Sequence, residues 1–369
     1  AYTATVAERC QLELPLGRTI FPEIELPPDQ TAGDVLRAQA TAGAEQRYGS
    51  LNDAQRSRLE YELTTIDSLG YAPLFLIVAD VVGYAREQEI QVNLRGSAAG
   101  SLVAYCLGIS AVDPIALDLY FERFLNPERR DPPDIDLDLC SRRREEVIRY
   151  IYGRFGQDRV ATICTYARLR ARSAWREVAK AFRIPQARID AVATQVPRYW
   201  HPGMGPEVEA AKEGLLAAAQ DDREREALEA AWALDGHPRH LSVHPGGVVI
   251  APGPLTDLVP LQLAAKGVII TQYDLHSVER LGLVKIDLLG IRALTVVAES
   301  VELVRRRQAD FSREVADGDA ATGDLLAVAD TIGCFQTESP GMRRTLRELG
   351  PRSLEDVTVA LALYKPGPL

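Results

Sequence analysis

Three aspartates alternate with apolar residues in the segment Pro133-Asp134-Ile135-Asp136-Leu137-Asp138-Leu139. Because successive side chains of a β-strand point to opposite faces, this pattern predicts a strand with all three carboxylates on one face. Carboxylates two residues apart lie ~6.6–7 Å from each other along a strand and can flank two cations spaced ~3.5–4 Å. Without cations the carboxylates would repel one another. The segment therefore predicts a metal site, and carboxylates that act together with water and phosphate oxygens favour Mg²⁺.

Two other interpretations of this acidic segment stay open at this point. It is also compatible with an edge strand whose acidic face is solvated. A calcium loop fits less well. Asp134, Asp136, Asp138 and Glu145 occupy positions 1, 3, 5 and 12 of an EF-hand loop, but Leu139 stands where that loop needs glycine.

A second alternating segment, residues 283–288, carries Lys285 and Asp287 on one predicted face and apolar residues on the other. A basic residue beside a carboxylate on an apolar strand fits a functional site. It fits an ordinary cross-strand ion pair equally well.

The loop 95–101, Arg-Gly-Ser-Ala-Ala-Gly-Ser, is built from small residues. Gly96 and Gly100 let a ligand approach the backbone, and free N–H groups at the start of the following helix would attract an anion such as a triphosphate. The loop lacks the G-x-x-x-x-G-K-[ST] pattern, which excludes a P-loop. Its other explanation is close packing alone.

Three histidines, His237, His240 and His244, have spacings that could suggest zinc. Pro238 and Pro245 would break any helix that brought these rings together, and no cysteine lies near them. A phosphate contact or a buried, hydrogen-bonded role suits them better.

Apolar periodicity predicts the elements that position these residues. Helices are expected at 31–48, 53–69, 74–86, 102–107, 142–155 and 172–182, through most of 184–235, and from 291 to 364. Strands are expected at 90–92, 133–139, 159–165, 246–251, 267–272 and 283–288. The order predicts a mixed α/β (α+β) fold whose sheet is interrupted by a helical insertion.

Composition places further limits on the protein class. The chain has 369 residues, 46% hydrophobic and 25% charged, which excludes disorder and allows two or three domains. No apolar run reaches the ~18 residues of a membrane span, so no membrane association is expected. Five scattered cysteines indicate reduced thiols and a cytoplasmic location.

The net charge of −10 conceals a basic stripe at residues 142–183, which contains twelve Arg or Lys residues and only four Asp or Glu residues. Such a stripe is typical of a contact with a nucleic-acid backbone. A solvated helix face with internal ion pairs would give the same count.

Taken in order, these segments resemble the bacterial C-family DNA polymerases, namely the DNA polymerase III alpha subunit and its error-prone paralogue. The resemblance runs through nearly the whole chain. It includes Arg95-Gly96-Ser97, residues 121–129 (FERFLNPER), Pro133-Asp134-Ile135-Asp136, His244-Pro245-Gly246-Gly247, Lys285-Ile286-Asp287, residues 335–339 (FQTES) and 365–369 (KPGPL).

This resemblance implies a nucleotidyltransferase-type palm with a mixed sheet, an all-helical thumb and a helical fingers segment. Residues 1–165 would form the first part of the palm, preceded by the tail of a missing N-terminal metallophosphoesterase-like domain. The thumb would be 166–243, the second part of the palm 244–290, and the truncated start of the fingers 291–369. Because the chain stops within the turn signal Lys-Pro-Gly-Pro, we expect a piece of a longer polypeptide that is inactive by itself.

The resemblance also implies roles for single residues. Asp134, Asp136 and Asp287 would be the catalytic ligands of two Mg²⁺ ions, with Asp138 left out. The incoming dNTP would meet five residues: Arg95, Gly96, Ser97, Arg123 and Lys285. Primer-template DNA would be a partner, as would a sliding clamp and other replisome subunits through regions outside this chain.

Three positions depart from the family pattern. Leu94 stands where glycine is usual, Pro340 where arginine is usual, and Lys365 where arginine precedes Pro-Gly-Pro. The motifs also mix replicative and error-prone features, so the branch is left open.

The expected function is template-directed DNA synthesis by two metal ions, in replication or in error-prone translesion synthesis. A two-metal nuclease or phosphodiesterase would use the same carboxylates, and a non-catalytic DNA-binding module would not need them. Lys285 and the Gly-Ser loop favour the polymerase, since hydrolysis requires no triphosphate site.

Overall fold

A computed structural model of the chain describes residues 2–10, 16–126, 128, 133–196, 205–311 and 318–364, with only the backbone for 205–208. The described helices are α1 Tyr2–Arg9, α2 Ala32–Tyr48, α3 Asp53–Ser68, α4 Ala72–Glu87, α5 Leu102–Cys106, α6 Arg144–Phe155, α7 Ala171–Ala181, α8 Gln186–Gln195, α9 Gly205–Ala217, α10 Asp222–Ala233, α11 Leu275–Arg280, α12 Arg292–Arg305, α13 Ala320–Ala327, α14 Pro340–Leu349 and α15 Leu354–Tyr364. The described strands are β1 Val92–Arg95, β2 Asp136–Cys140, β3 Val160–Arg168, β4 Pro238–Ile250, β5 Leu261–Leu263, β6 Ile269–Asp274 and β7 Lys285–Ile291.

The seven strands form one sheet in the order β1-β2-β7-β4-β3-β6-β5. β3 and β6 are parallel. The pairs β1/β2, β3/β4, β4/β7 and β5/β6 are antiparallel. The sheet is therefore mixed, which confirms the predicted mixed α/β fold class.

Most predicted elements lie where the sequence pattern puts them, and the differences come from strand pairing and from the shortness of two elements. β4 begins at Pro238, not at Gly246, because its polar first half pairs with β3. β1 starts two residues later than expected and pairs with β2. The three-residue strand β5 and the six-residue helix α11 were not predicted, because each is too short to show a periodicity.

One of two compact units contains the described residues within Ala1–Pro27 and Ile151–Asp287. Its sheet core joins β3, β4 and α11 through side chains such as Ile163, Val249 and Val278. Helices α7, α8, α9 and α10 lie in the chain between β3 and β4 and have their own core. Trp175 is central there, 1% exposed, and its indole N–H donates to the Ile189 carbonyl at 2.9 Å.

The other unit contains the described residues within Pro28–Arg129, Pro133–Tyr150 and Leu288–Leu369. Helix α2 begins with a capping box in which Thr31 and Asp34 exchange hydrogen bonds. The apolar helix α4 is buried along most of its length. Near the other end of the chain, α14 and α15 pack on a small core that includes Met342 and Leu346.

All five cysteines are free thiols, as their spacing predicts, and three of them are buried. Burial raises the pKa of the Cys106 thiol to about 12. No single helix in the described part of the chain is long and apolar enough to cross a membrane. Helices α3 and α4 pass that test of length and composition only as a pair, which is bent by 111°.

Candidate active site

The acidic strand β2 has the alternation that the sequence predicts. Ile135, Leu137 and Leu139 are at most 2% exposed. Asp134 is exposed and Asp136 half-buried on the other face. The regular strand begins at Asp136, so Asp134 lies in the extended segment just before it.

Asp138 is held by Arg95 of the neighbouring strand. In the β1/β2 register Arg95 is opposite Asp136, and its guanidinium reaches diagonally to Asp138. Its Nε and Nη2 donate to Asp138 Oδ2 at 3.0 and 2.8 Å. Arg95 thus makes two charge-assisted hydrogen bonds to Asp138, which is the one aspartate of the segment that the family pattern leaves out of the ligand set.

Asp287 lies on β7, directly opposite Gly247 of β4. Its Oδ2 accepts a hydrogen bond from Lys285 Nζ at 2.7 Å. Its Oδ1 is buried and has no hydrogen-bond partner within the described residues. A Cβ on Gly247 would lie only 3.4 Å from that oxygen, so glycine leaves space beside the carboxylate.

His244 also lies beside Asp287, with its Nδ1 3.9 Å from Asp287 Oδ1. That nitrogen accepts the N–H groups of Gly246 and Gly247 at 3.2 and 2.7 Å. A nitrogen that accepts these bonds carries no proton, so the hydrogen-bond network assigns the ring a neutral tautomer protonated at Nε2. His244 therefore fixes the backbone next to Asp287 without providing a charge.

The helix and the turn that precede β7 determine the position of Asp287. Asp274 caps α11 by accepting from the Ser277 hydroxyl at 2.7 Å, and this bond holds the pKa of Asp274 below its usual range. After α11, Gly282 has φ +82°, and a Cβ there would lie 1.7 Å from the Arg18 carbonyl oxygen. The turn into β7 therefore requires glycine.

Asp134, Asp136 and Asp287 come together, each offering a carboxylate oxygen within 4.8 Å of the other two. Among the described residues no other group of three or more His, Cys, Asp or Glu has this geometry, and the three histidines considered for zinc are not in one. Three carboxylates, one with a buried oxygen that accepts no hydrogen bond from the described residues, form a hard-oxygen donor set suited to a divalent cation.

The Gly-Ser loop is a 3-10 turn, Gly96–Gly100, and Arg95, Gly96 and Ser97 are exposed. The N–H groups at the start of α5 are not free, contrary to the expectation from sequence. The Val103 N–H donates to the buried Glu62 carboxylate at 3.1 Å. An anion at this loop would therefore meet the exposed Arg95, Gly96 and Ser97 and not the start of α5.

Arg123 is exposed at the end of the short turn Phe121–Arg123. It has no hydrogen-bond or ion-pair partner among the described residues. Phe121, two residues earlier, is fully buried and fixes the start of this turn. Within the described structure, Arg123 therefore presents an unpaired cation on an anchored segment.

The basic stripe is partly consumed by contacts inside the protein. Arg143 pairs with Glu146, Arg176 with Asp190, and the Arg172 Nε donates to the Val196 carbonyl at 2.7 Å. Arg168, by contrast, is exposed, and its side chain has no hydrogen-bond or ion-pair partner in the described part of the chain. Only part of the stripe is available to a ligand.

Sequence reasoning missed two groups of residues. The sequence pattern suggests zinc or phosphate for His244, and only the β4/β7 register shows that it lies beside Asp287. Arg58 and Glu62 lie on an ordinary amphipathic helix, α3, where nothing in the spacing distinguishes them. Pro127, Arg129 and residues 365–369, which carry part of the resemblance, lie outside the described residues.

Comparison with known proteins identifies the family. The profile described as "Bacterial DNA polymerase III alpha NTPase domain" matches residues 34–290, and "Bacterial DNA polymerase III alpha subunit finger domain" matches residues 293–369. An error-prone DNA polymerase of Symbiobacterium thermophilum is 41% identical over 100% of this chain and 34% of its own length. The DNA polymerase III subunit alpha of Bacillus subtilis is 40% identical over 99% of the chain and 33% of its own length.

The Thermus aquaticus DNA polymerase III subunit alpha is 44% identical over 85% of this chain and 26% of its own length. The chain thus spans about a third, or less, of the length of these curated relatives. Profiles that match almost the whole chain in order, together with identities of about 40%, confirm the resemblance seen in the motifs. The chain belongs to the bacterial DNA polymerase III alpha subunit family.

Proposed function

We propose that this chain carries the catalytic centre of a DNA-directed DNA polymerase, which adds dNMP to a primer 3′-hydroxyl in bacterial replication or error-prone synthesis. The observation that carries the proposal is the convergence of Asp134, Asp136 and Asp287. Family membership supports the same activity, since the relatives are named as polymerases.

These three aspartates are the proposed ligands of two Mg²⁺ ions. When bound, the ions would activate the primer hydroxyl and neutralise charge on the triphosphate and the departing pyrophosphate. The residues fit such ions because their oxygens converge and because Gly247 leaves space beside Asp287. Asp138 is not a proposed ligand, since the family resemblance leaves it out and its carboxylate is not part of the converging group.

Five further residues form the proposed dNTP site. Arg123, exposed and unpaired in the described structure, would meet the triphosphate, as would the exposed backbone of Gly96 and Ser97. Arg95 and Lys285 would add positive charge where charge develops on the phosphates. Both are paired with aspartates here, so each would share its charge between a carboxylate and the substrate.

The domain roles are proposals of the same kind. The proposed thumb, residues 166–243, comprises the helices between β3 and β4 together with the adjoining ends of those two strands. Residues 244–290 would continue the palm that starts in 1–165. Residues 291–369 would begin the fingers, supported by the finger-domain profile on 293–369. Primer-template DNA and dNTPs are the proposed ligands, with a sliding clamp and other replisome subunits bound through other regions.

Primer extension with each single dNTP tests the function. In the full polypeptide that carries this sequence, we expect Mg²⁺-dependent addition of the nucleotide complementary to the template. Shortening of the primer without addition would identify the two-metal nuclease instead. The frequency of mismatched addition would separate an error-prone from a replicative enzyme.

Asparagine substitutions test the ligand set. Asp134→Asn, Asp136→Asn and Asp287→Asn each keep side-chain size and remove a charge, so we expect extension to fall by about two orders of magnitude or more, while primer-template binding is kept. Asp138→Asn is the matched control on the same strand and should cost far less. If Asp138→Asn were as damaging as Asp136→Asn while Asp287→Asn had no effect, the proposed ligand set would be wrong.

A further inference from the structure

A buried ion pair on α3 contacts both segments that the proposed function assigns to the incoming nucleotide. Glu62 is 0% exposed and accepts from Arg58 Nε at 2.6 Å. Burial raises the pKa of the Glu62 carboxyl, although the hydrogen bonds that this carboxyl accepts act in the opposite direction. Arg58 is partly buried, with 23% of its side chain exposed.

The Glu62 end of the pair holds the chain directly behind the Gly-Ser loop. Its Oε2 accepts the Ser101 hydroxyl at 2.9 Å and the Val103 N–H at 3.1 Å. Ser101 in turn accepts the Ala104 N–H at 3.1 Å. A carboxylate of the protein itself thus occupies the N-terminus of α5 and fixes where the loop ends.

The Arg58 end joins that loop to the segment that carries Arg123. Arg58 Nη2 donates to two carbonyl oxygens, those of Gly100 and Leu119, each at 3.1 Å. The two segments touch closely, since a Cβ on Gly100 would lie 2.8 Å from the Tyr120 carbonyl oxygen. One guanidinium therefore bridges the Gly-Ser loop and the Arg123 turn.

The α3 helix also fixes Phe121, the first residue of the Arg123 turn. The Tyr61 and Phe121 rings meet edge to face with centroids 6.0 Å apart, and the Arg58 guanidinium carbon lies 5.9 Å from the Phe121 ring centroid. The C-terminal end of the Gly-Ser loop and the start of the Arg123 turn thus rest on the same short stretch of α3.

We propose that Arg58 and Glu62 are positioning residues for the incoming dNTP: they hold the Gly-Ser loop and the Arg123 turn at a fixed separation from behind, without touching the nucleotide. This inference rests on the proposed function. Its chemical basis is that a planar guanidinium can serve one carboxylate and two carbonyls at once, which a lysine ammonium on the same stem cannot do with the same geometry.

The chain provides a matched control for the removal of this pair. Glu224, 4% exposed at its side chain, accepts from Arg188, 21% exposed, and Arg188 Nη2 also donates to the Ala218 carbonyl at 3.0 Å. This second pair has the same residue types and similar burial. It joins helices α8 and α10 and contacts neither proposed nucleotide segment.

The experiment compares Arg58→Lys with Arg188→Lys in the full polypeptide that carries this sequence. Binding of the correct dNTP is measured on a primer-template whose primer ends in a dideoxynucleotide, so no chemistry occurs, and KM and kcat are measured with a normal primer. We expect Arg58→Lys to weaken dNTP binding and raise its KM about tenfold, with primer-template affinity unchanged. Arg188→Lys should lose similar thermal stability and leave the dNTP KM unchanged.

A second pair of variants covers the case in which Arg58→Lys fails to fold. Glu62→Gln is isosteric and still accepts the Val103 N–H, but it holds Arg58 less firmly, so its dNTP affinity should fall in the same direction while that of Glu224→Gln does not. If the α3 variants change dNTP affinity no more than their controls, the pair is merely structural and the inference is overturned. If the unmodified polypeptide adds no templated nucleotide, the proposed function fails and the inference falls with it.

Discussion

At the scale of single residues, two of the three basic side chains expected to meet the triphosphate, those of Arg95 and Lys285, are engaged by carboxylates. Arg95 holds Asp138, and Lys285 holds the Oδ2 of Asp287 at 2.7 Å. These pairs lower the repulsion among closely spaced acids. The Lys285 charge consequently competes with any cation that binds Asp287, and the same charge would attract the triphosphate.

This dual role predicts effects of opposite sign for Lys285→Met. Loss of the ammonium should strengthen Mn²⁺ binding in the absence of nucleotide about tenfold, because one competing positive charge is gone. The same variant should raise the KM for dNTP, because the triphosphate loses a cationic partner. Isothermal titration with Mn²⁺ and steady-state extension give the two readouts.

Lys285→Arg is the control for this prediction, since it keeps the charge and should leave Mn²⁺ affinity close to that of the unmodified protein. Weaker Mn²⁺ binding by Lys285→Met would contradict the competition between the ammonium and the metal.

At the scale of elements, the stripe of basic residues contains side chains that support the protein's own structure and side chains that are exposed on its surface. Arg172 donates a hydrogen bond to the Val196 carbonyl at the end of α8, so its side chain stabilises the helices between β3 and β4. Arg168, at the end of β3, and Arg170, at the start of α7, are exposed. We therefore expect DNA-backbone contacts from the strand end and the helix start.

Reversal of Arg168 and Arg170 to Glu should weaken primer-template binding. It should also lower the slope of log K against log salt by about two, one for each lost phosphate contact. Filter binding or fluorescence anisotropy from low to moderate salt measures both quantities. Reversal of Arg344 and Arg347, exposed on α14, changes the net charge equally and is the control. An equal slope in the two double variants would show that Arg168 and Arg170 only cover a solvated surface.

Close packing of two helices gives a stability prediction at the same scale. A Cβ on Gly43 of α2 would lie 2.0 Å from the Cys106 carbonyl oxygen at the end of α5, so Gly43→Ala must push the two helices apart. We expect a loss of about 2 kcal/mol in the free energy of unfolding, as for other overpacked cores.

Gly83→Ala is the matched control in a helix interior, because nothing lies within 4 Å of its Cβ position. This change should stabilise the protein by about 0.5–1 kcal/mol, since alanine loses less backbone freedom on folding. Urea denaturation measures both variants. Equal effects at the two positions would argue against the close contact between α2 and α5.

At the scale of the whole molecule, the chain holds the proposed ligand set within about a third of the length of its relatives. The finger-domain profile begins at residue 293 and reaches residue 369. Under the proposed function, the side chains that would bind the metal ions and contact DNA are present here. Closure around a nucleotide would also need the rest of the fingers, which the resemblance implies.

We therefore predict that the 369-residue chain by itself binds Mn²⁺ and some primer-template DNA but adds nucleotides negligibly. The same primer and dNTPs should be extended by the full polypeptide that carries the sequence. Rapid extension by the 369-residue chain would show that no further part of the fingers is needed.

The sequence by itself determined the features that depend on local periodicity and residue type. The alternation in 133–139 was enough to predict a strand with an apolar face, and the buried Ile135, Leu137 and Leu139 confirm it. The order of the motifs was enough to identify the family, because an ordered set of short segments is far more specific than any one of them.

Only the tertiary structure decided which distant residues meet. β4 extends back to Pro238 because β3 provides backbone hydrogen bonds to a polar segment, and the β4/β7 register brings His244 to Asp287. The sequence pattern does not distinguish Arg58 and Glu62 from other residues, since an amphipathic helix carries many such pairs. Their contacts with Gly100, Leu119 and Ser101 exist because separate segments fold against one another, and no local period encodes such a contact.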